Sequence, residues 1–484
     1  MVEIRRLGTA AATCVLLLAA CSSTRSTSTP VPGTSLSPGG GASPAASAPA
    51  GGSPTPTASA GADASPSPST VDGGLGAGPA GRRTSGVTPG TVRLGFVISD
   101  DASTIYKTLG ISGASHTRAE SEAIWKAVIA QVNARGGLAG HRIVPSWAWI
   151  TSDSGTNASR SQAACEQFTH DQPVFAVVVD GATDISAAAC FAQRHVPVVD
   201  VGQTSYPYDD VDLQSLAPYL YVPGRLSMGR FATYVDQLAA HGFFSKGSKV
   251  GLLRFDLPDQ LRTKRDVIVP ALRRHGLTLT TDIAFTPVDG TGGLPGAANE
   301  ASAAVLKMRA AGVDHVLYLG SGLSLPYVFP TVAESQGYRP RYGITTDDGP
   351  EFMATNAPAA QMTGAMAVGW EPQYDVADSD AVLQHDALWR SCARVMRAVG
   401  FTPRDGRRCT AIYFLEDALR GARSLTPQAL RAGADRLGTR EYSTQNYATR
   451  FGPGRYDGAS QVRVLAFRAD CTCFRYLTGD VPVR

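Results

Sequence analysis

The chain has 484 residues, of which 43% are hydrophobic and 18% are charged, and its formal net charge is +3. This length exceeds that of one ordinary domain, so we expect two cores or one two-lobed body. The composition is ordinary for a soluble globular protein, and no long acidic or basic block suggests nucleic acid as a partner.

Residues 1–21 have the features of an export signal. Arg5 and Arg6 precede a short apolar segment that ends Leu-Ala-Ala-Cys at Cys21. A basic start, an apolar core and small residues before the cut define a secretory signal, and the segment is too short for a comfortable transmembrane helix. Its ending resembles the bacterial lipobox, which implies that Cys21 is acylated and becomes the mature N-terminus. The alternative is a plain signal peptide with an incidental cysteine.

Residues 22–88 consist mainly of Ser, Pro, Thr, Gly and Ala. Such a segment cannot bury enough apolar surface to order itself, so we predict a disordered tether. As a flexible coil of about 65 residues it would span on the order of 40–50 Å, enough to lift a domain clear of a membrane.

The ordered part is predicted to open with a strand–loop–helix–strand unit. Residues 92–98 form a short apolar run that suits a buried parallel strand, and Thr117 with Glu120 matches a capping box at a helix start. A second apolar run begins at Ile143, after a glycine pair that ends the helix. The loop after such a first strand is where open α/β sheets bind ligands. The helix has one apolar face, formed by Ile124, Trp125, Val128, Ile129 and Val132.

The segment VNARGGLAGHRI, residues 132–143, resembles the opening of the type I periplasmic-binding-protein family. It is most similar to the leucine/isoleucine/valine-binding-like group, the solute receptors of ABC importers, and the order of later elements extends the resemblance over residues 89–484. The resemblance implies an α/β fold with two Rossmann-like lobes, each with a parallel sheet, joined by three hinge crossings. The implied segments are lobe 1 at 89–221, lobe 2 at 222–348, lobe 1 again at 349–452, and a closing segment of lobe 2 at 453–484.

Strands alternate with helices along the rest of the chain, as parallel βαβ units require. Pro270 lies inside the predicted helix 261–274 and indicates a kink or a late start. The predicted strands are 174–179, 196–201, 249–255, 278–285, 315–319, 342–346 and 461–467, with an extended segment at 362–370. The predicted helices are 160–169, a helix ending near 191, 261–274, 299–311, 327–336, 381–399, 410–421 and 427–437.

Six cysteines remain after Cys14 and Cys21 of the export segment, and an even number outside the membrane favours disulfides. Two pairs fall on consecutive helices, Cys165 with Cys190 and Cys392 with Cys409. Cys471 and Cys473 point to the same face if they lie on a strand, but their ring would be small and strained. Free thiols are the alternative for all three pairs.

A search for catalytic motifs finds none of the nucleophile-elbow, zinc-protease or phosphate-loop patterns. Gly320-Ser-Gly322 lacks the third glycine of a dinucleotide fingerprint. The adjacent acids Asp100-Asp101 and Asp347-Asp348 are more often solvated or helix-capping than catalytic. No metal-ligand spacing occurs either. We therefore predict a protein that is not an enzyme, with no catalytic residues, no metal and no cofactor.

In the resembled family, ligand contacts come from loops after the carboxyl ends of strands. Short polar residues are common in such loops for conformational reasons alone, so these positions have a second interpretation. Arg225 stands where amino-acid binders place an acid, and Asp347 or Asp348 fills the other acidic position. An aromatic residue that closes over the ligand has Phe255, Tyr318 and Tyr327 as candidates. The predicted ligand-binding residues are Ser99, Asp100, Asp180, Gly181, Ala182, Thr183, Gly202, Gln203, Thr204, Arg225, Phe255, Ser321 and Asp347.

A guanidinium at a hinge can bind a carboxylate or phosphate, whereas it would repel an ammonium group. If Arg225 faces the cleft, we therefore expect anionic or neutral polar solutes. The alternative is that Arg225 faces solvent or pairs with a hinge aspartate.

The resemblance implies a monomeric, lipid-anchored substrate-binding protein on the extracytoplasmic face of the cell membrane. Its partners would be a small amino-acid-like or related solute and an ABC permease. A ligand-sensing or scaffold lipoprotein with the same fold, signalling to a membrane partner, is the alternative.

Overall fold

The computed structural model describes residues 84–484, and all of them belong to one compact unit, Ala77–Arg484. The predicted export signal, Cys21 and most of the predicted tether lie outside the described residues. Within 84–484 the positions not described are 101–103, 105–106, 108–115, 152, 182, 203–206, 289–290, 321–323, 377–385, 403–405 and 441–443.

The described residues form an α/β structure with two large sheets, as predicted. The strands are β1 (Thr91–Ser99), β2 (Arg142–Ile150), β3 (Ala176–Asp180), β4 (Val198–Asp200), β5 (Leu220–Tyr221), β6 (Val250–Phe255), β7 (Leu279–Phe285), β8 (His315–Tyr318), β9 (Arg341–Thr345), β10 (Met366–Gly369), β11 (Thr439–Arg440), β12 (Thr449–Arg450), β13 (Gln461–Arg468), β14 (Cys473–Tyr476) and β15 (Val481–Pro482). The α-helices are α1 (Arg118–Ala134), α2 (Asn157–Glu166), α3 (Ile185–Gln193), α4 (Asp210–Ser215), α5 (Ala232–Ala240), α6 (Pro258–Thr263), α7 (Val269–Arg274), α8 (Leu294–Ala310), α9 (Ser324–Ser335), α10 (Pro350–Asn356), α11 (Pro372–Asp375), α12 (Ala387–Ala398), α13 (Gly406–Ala418) and α14 (Pro427–Leu437).

The opening unit has the predicted local structure. Thr117 caps α1: its backbone N–H donates to the Glu120 carboxylate at 2.8 Å, and the Glu120 N–H donates to the Thr117 hydroxyl at 3.3 Å. This reciprocal pair satisfies donors that a helix start leaves free. The predicted apolar face of α1 is buried against the first sheet, with Trp125 fully enclosed.

The first sheet is parallel throughout and has the strand order β2-β1-β3-β4-β5. The second sheet has the order β14-β13-β10-β9-β8-β6-β7, with β15 paired to β13. In that second sheet β13 runs antiparallel to both β10 and β14. The prediction of two parallel sheets is therefore wrong for this edge. A short connection between β13 and β14 can only make an antiparallel pair, since a parallel pair needs a long crossover.

The predicted return to the first lobe at residue 349 comes too early. β10 pairs with β9 and β13, so the extended segment assigned to the first lobe lies inside the second sheet. Gly369 ends this strand, and the chain crosses after it. The other lobe boundaries remain predictions.

The predicted disturbance around Pro270 takes the form of a π-helical turn at Lys264–Ile268, between α6 and α7. The Val269 N–H donates to the Lys264 carbonyl, five residues back. A proline has no N–H and its ring clashes with the carbonyl four residues earlier, so a wider turn accommodates Pro270 without ending the helical path.

Each lobe has its own apolar core. One core joins the first sheet to α1, α13 and α14, while two further cores cover the two faces of the second sheet. The first and third crossings lie side by side: Val222 N–H donates to the Tyr456 carbonyl at 2.9 Å, and Gly458 N–H donates back to Val222 at 3.0 Å. Among the described helices, none has both the length and the apolar character needed to span a bilayer.

Candidate functional site

The loops after the carboxyl ends of the two sheets meet near the first crossing. Pro207 follows β4 in the first lobe, and a Cβ added to Gly320, after β8 in the second lobe, would lie 2.4 Å from the Pro207 ring. Gly320 also has a φ of +56°, which favours glycine. This close approach brings a loop of the first lobe against a loop of the second. Of the predicted ligand residues, Ala182, Gln203, Thr204 and Ser321 lie outside the described residues.

Arg225 connects the two lobes through a buried ion pair. Its Nη2 lies 3.1 Å from Asp347 Oδ1, and its Nη1 donates to the Gly202 carbonyl at 3.0 Å. Arg225 therefore pairs with an aspartate, which is the alternative that the sequence left open. This pairing joins the loop after β4 to the loop after β9, both of which were predicted to contribute to the site.

One carboxylate oxygen of Asp347 has a hydrogen-bond partner, and the other has none among the described residues. Its side chain is 7% exposed, and no hydrogen bond reaches Oδ2 within the described structure. Burial raises the pKa of the Asp347 carboxyl above its ordinary value, while the adjacent Arg225 opposes that rise. An unsatisfied buried acceptor costs about 1–3 kcal/mol, so Oδ2 is suited to receive a donor from a ligand.

Asp200 supports this junction from the first sheet. It is fully buried and accepts hydrogen bonds from the Tyr208 hydroxyl at 2.7 Å and from the Gly202 N–H at 2.8 Å. Burial raises its pKa, and the Arg225 charge counteracts this effect. Asp200 was not among the predicted site residues, although it ends a strand next to a predicted loop.

Asp180, predicted as a ligand residue, holds two arginines instead. Its Oδ1 accepts from Arg407 Nε at 3.0 Å and its Oδ2 accepts from Arg408 Nε at 2.9 Å. Arg407 also lies over the Tyr374 ring, 5.8 Å from its centroid. Sequence reasoning missed both arginines. A usable signal existed: two basic residues in the first turn of a helix oppose its dipole, and this favours an acidic partner nearby.

The remaining predicted residues have different environments. Phe255 is fully buried in a core of the second lobe, so it offers no ring surface to the cleft. Its inward direction follows from strand alternation in β6. Asp100 pairs with Arg118 at 3.2 Å near the start of α1, and Ser99 is half-buried at the end of β1. At Gly181 an added Cβ would lie 2.9 Å from the Ser99 backbone nitrogen, so glycine permits these two loops to touch. Thr183 is buried.

A buried hydrogen-bond network fixes the second crossing beside the site. Thr346 donates through its hydroxyl to Asp375 at 2.8 Å and accepts from the Trp370 N–H at 2.8 Å. Asp375 also accepts from the Glu371 N–H at 3.0 Å. Burial raises the pKa of Asp375 to about 8. The network links α11, which carries Tyr374, to the residue before Asp347.

Within the described part of the chain, no group of three or more His, Cys, Asp or Glu side chains is placed to hold a metal ion. A family profile described as "Periplasmic binding protein" matches residues 110–459. This chain belongs to the periplasmic binding protein family. The match includes parts of both lobes and agrees with the resemblance seen in residues 132–143.

Solved structures of other periplasmic binding proteins confirm the type I fold. A possible leucine/isoleucine/valine-binding protein from Rhodopirellula baltica is 15% identical, with a TM-score of 0.57, covering 81% of this chain and 98% of that one. The branched-chain amino acid transporter substrate-binding protein of Streptococcus pneumoniae, in complex with isoleucine, is 14% identical, with a TM-score of 0.56 and coverage of 81% and 99%. A fatty acid ABC transporter substrate-binding protein from Thermomonospora curvata is 16% identical, with a TM-score of 0.58 and coverage of 83% and 95%. No curated protein matches the chain.

Proposed function

We propose that this periplasmic binding protein is the solute receptor of an ABC importer, and that it captures a small polar molecule by closure of its two lobes. The observation that carries the proposal is the Arg225–Asp347 pair, buried where the loops of both lobes meet, with Asp347 Oδ2 unpartnered among the described residues. A ligand donor such as an ammonium, hydroxyl or amide group would satisfy that oxygen. Closure and ligand capture would then be coupled, since Asp347 and Gly202 belong to different lobes.

The names of the solved relatives support a small solute as the ligand. One structure contains isoleucine and another protein is named for fatty acids, so the same fold accepts both a zwitterion and a carboxylate with an apolar tail. Lipid attachment at Cys21 and the 22–88 tether would hold the receptor on the extracytoplasmic face of the membrane. A monomer delivering its ligand to a membrane permease fits this arrangement.

Mass spectrometry of the full chain, purified in detergent, would identify any solute that co-purifies. Isothermal titration calorimetry would then measure its affinity, beside a panel of neutral amino acids, hydroxy acids and fatty acids. We expect at least one solute to bind, and Asp347→Asn to weaken its binding about 10-fold or more through the loss of a charged acceptor. The control is Asp470→Asn, which changes an exposed carboxylate in the turn between β13 and β14.

A protein that binds no solute, and that co-purifies with a membrane sensor instead of a permease, would contradict the proposal. That result would favour the ligand-sensing or scaffold alternative.

A further inference from the structure

A cluster of two arginines and one carboxylate lies at the carboxyl end of β3. Asp180 accepts from Arg407 on one oxygen and from Arg408 on the other, so both of its oxygens already have a cationic partner. Two guanidinium groups and one carboxylate leave one unit of positive charge. Arg408 is buried, with a side chain 4% exposed, whereas the Arg407 side chain is 19% exposed.

Among the residues that the structure describes, Arg407 uses only part of its hydrogen-bonding capacity. A guanidinium carries five N–H donors, and the described structure gives Arg407 one hydrogen bond, from Nε to Asp180. The edge formed by its two Nη nitrogens can bind a carboxylate bidentately. Asp180 holds the Nε side, and Tyr374 lies against the guanidinium plane at 5.8 Å. These contacts fix the orientation of Arg407, and within the described residues its two Nη nitrogens make no hydrogen bond.

The position of Arg407 relates it to the site already described. Asp180 ends β3, which neighbours β4, and the loop after β4 contributes Gly202 to the Arg225 contact. On the other side, Tyr374 precedes Asp375, which bonds Thr346, and Asp347 follows directly. α11 thus lies between the two residues: Tyr374 contacts Arg407, and Asp375 bonds the residue before Asp347.

Arg225, by contrast, is not the group that offers charge to a ligand. Its guanidinium is engaged by Asp347 and by the Gly202 carbonyl, and the pair is buried. The expectation that Arg225 selects an anionic ligand therefore does not follow from this geometry. Arg407 is better suited than Arg225 to select an anionic ligand.

We propose that Arg407 is the anion-binding residue of the solute site, and that it takes the carboxylate of an organic acid through its two Nη nitrogens. This inference rests on the proposed solute-binding function and adds the ligand class to it. The ligand would carry a carboxylate at one end and a hydrogen-bond donor for Asp347 elsewhere. Asp180 acts as a positioning residue, because it orients Arg407 and does not itself face the anion.

The test compares acids with their neutral amides on the full chain in detergent. The probes are isoleucine and isoleucinamide, 2-hydroxyisocaproate and its amide, and decanoate and decanamide, with binding measured by calorimetry. Hydrogen bonds to charged groups imply that the acid of at least one pair binds about 10- to 100-fold more tightly than its amide. Arg407→Gln should reduce that ratio to near one. Arg407→Lys should retain part of it, because lysine keeps the charge but not the fork.

Arg135→Gln is the matched control. Arg135, just after α1, also bonds a carboxylate, Glu416, through Nε at 3.0 Å and lies over a tyrosine ring, Tyr413, at 5.0 Å. Glu416 is near the end of α13, whereas Arg407 is at its start. Its loss should leave the acid-to-amide ratio unchanged.

Equal binding of acid and amide by the wild-type protein would overturn the inference while leaving the proposed function intact. A ratio unaffected by Arg407→Gln in a folded variant would do the same. This wild-type comparison decides the matter even if the Gln variant does not fold. No binding by any probe would overturn the proposed function, and the inference with it.

Discussion

The Arg225–Asp347 pair is a buried ion pair that is also part of the proposed ligand site. Two buried charges lose their hydration, and their attraction repays this only when geometry and further hydrogen bonds are good. Arg225 has that support from Gly202, whereas Asp347 keeps one oxygen without a partner in the described structure. The pair is therefore expected to add little net stability, although breaking it from one side is costly.

Arg225→Ala should destabilise the fold by about 3–5 kcal/mol, because it leaves the Asp347 charge buried and unpaired. The double variant Arg225→Met, Asp347→Leu should recover most of that loss, since no buried charge remains. Urea unfolding of Arg225→Met, of Asp347→Leu and of the double variant would measure the coupling. If the losses simply add, the two side chains do not depend on each other and the interpretation is wrong.

The residues of the site were only partly predictable. Asp180, Gly202 and Asp347 follow predicted strands, and Arg225 follows the predicted first crossing, so a family resemblance could locate them. Their partners could not be located in the same way. Arg407 is 227 positions from Asp180 along the chain, and α13 lies at the end of β3 only in the folded protein.

At the scale of elements, the disulfides tie helices that are consecutive along the chain. Cys165–Cys190 joins α2 to α3, and Cys392–Cys409 joins α12 to α13, as predicted. Cys471–Cys473 also forms, across a single residue. The first two bridges close loops with sequence separations of 25 and 17, which restrict the unfolded chain far more than the third.

Replacing Cys165 and Cys190 together with serine should cost about 3 kcal/mol in the chain-entropy view of disulfides. The same change at Cys392 and Cys409 should cost a similar amount. The matched control is the Cys471, Cys473 double serine variant, which should lose much less because its loop is very short. Chemical denaturation under non-reducing conditions would compare the three. Equal losses from all three pairs would rule out loop closure as the source of stability.

Element type was predictable where periodicity was strong, as at α1 and α14, which begin and end with recognisable capping residues. Thr426 caps α14 and Pro427 is its first residue. The assignment of elements to lobes was harder. β10 is only four residues long, and its pairing with β9 and β13 is seen only in the folded sheet. The local sequence pattern therefore assigned this strand to the wrong lobe.

At the scale of the whole molecule, attachment to a membrane depends on a segment outside the described residues. If Cys21 carries lipid, Cys21→Ala should leave an unacylated, uncleaved precursor, because the lipoprotein peptidase acts on the acylated cysteine. Labelling cells with a fatty-acid analogue would show the difference. Equal label in wild type and variant would exclude lipid attachment at this residue.

A second property of the whole molecule is an ionic contact between the lobes beside the first crossing. Arg262 of α6, in the second lobe, lies 2.7 Å from Asp209 and 2.7 Å from Asp212 at the start of α4, in the first lobe. Asp259, one turn before Arg262, is close enough to feel both carboxylates. Burial and repulsion between neighbouring carboxylates raise the pKa of Asp212 to about 6 and that of Asp259 to about 7. Arg262 thus pairs with two acids, and the carboxyl of Asp259 lies close to both of them.

The raised pKa values of Asp212 and Asp259 predict that these groups favour the folded protein more as the pH falls. The ordinary pKa of an aspartate carboxyl is 3.8. Between about pH 4 and pH 7 the folded protein therefore holds more protons than the unfolded chain. The free energy of unfolding should therefore fall as pH rises through that window. Asp259→Asn removes one of the charges, and it should raise stability at pH 8 by on the order of 1–2 kcal/mol, after allowance for solvent screening. It should also flatten the slope between pH 5 and pH 8. Urea unfolding at four pH values would measure this, with Asp470→Asn at a carboxylate 81% exposed as the control. An Asn variant with the wild-type slope would show that Asp259 is already ionised without cost in the folded protein.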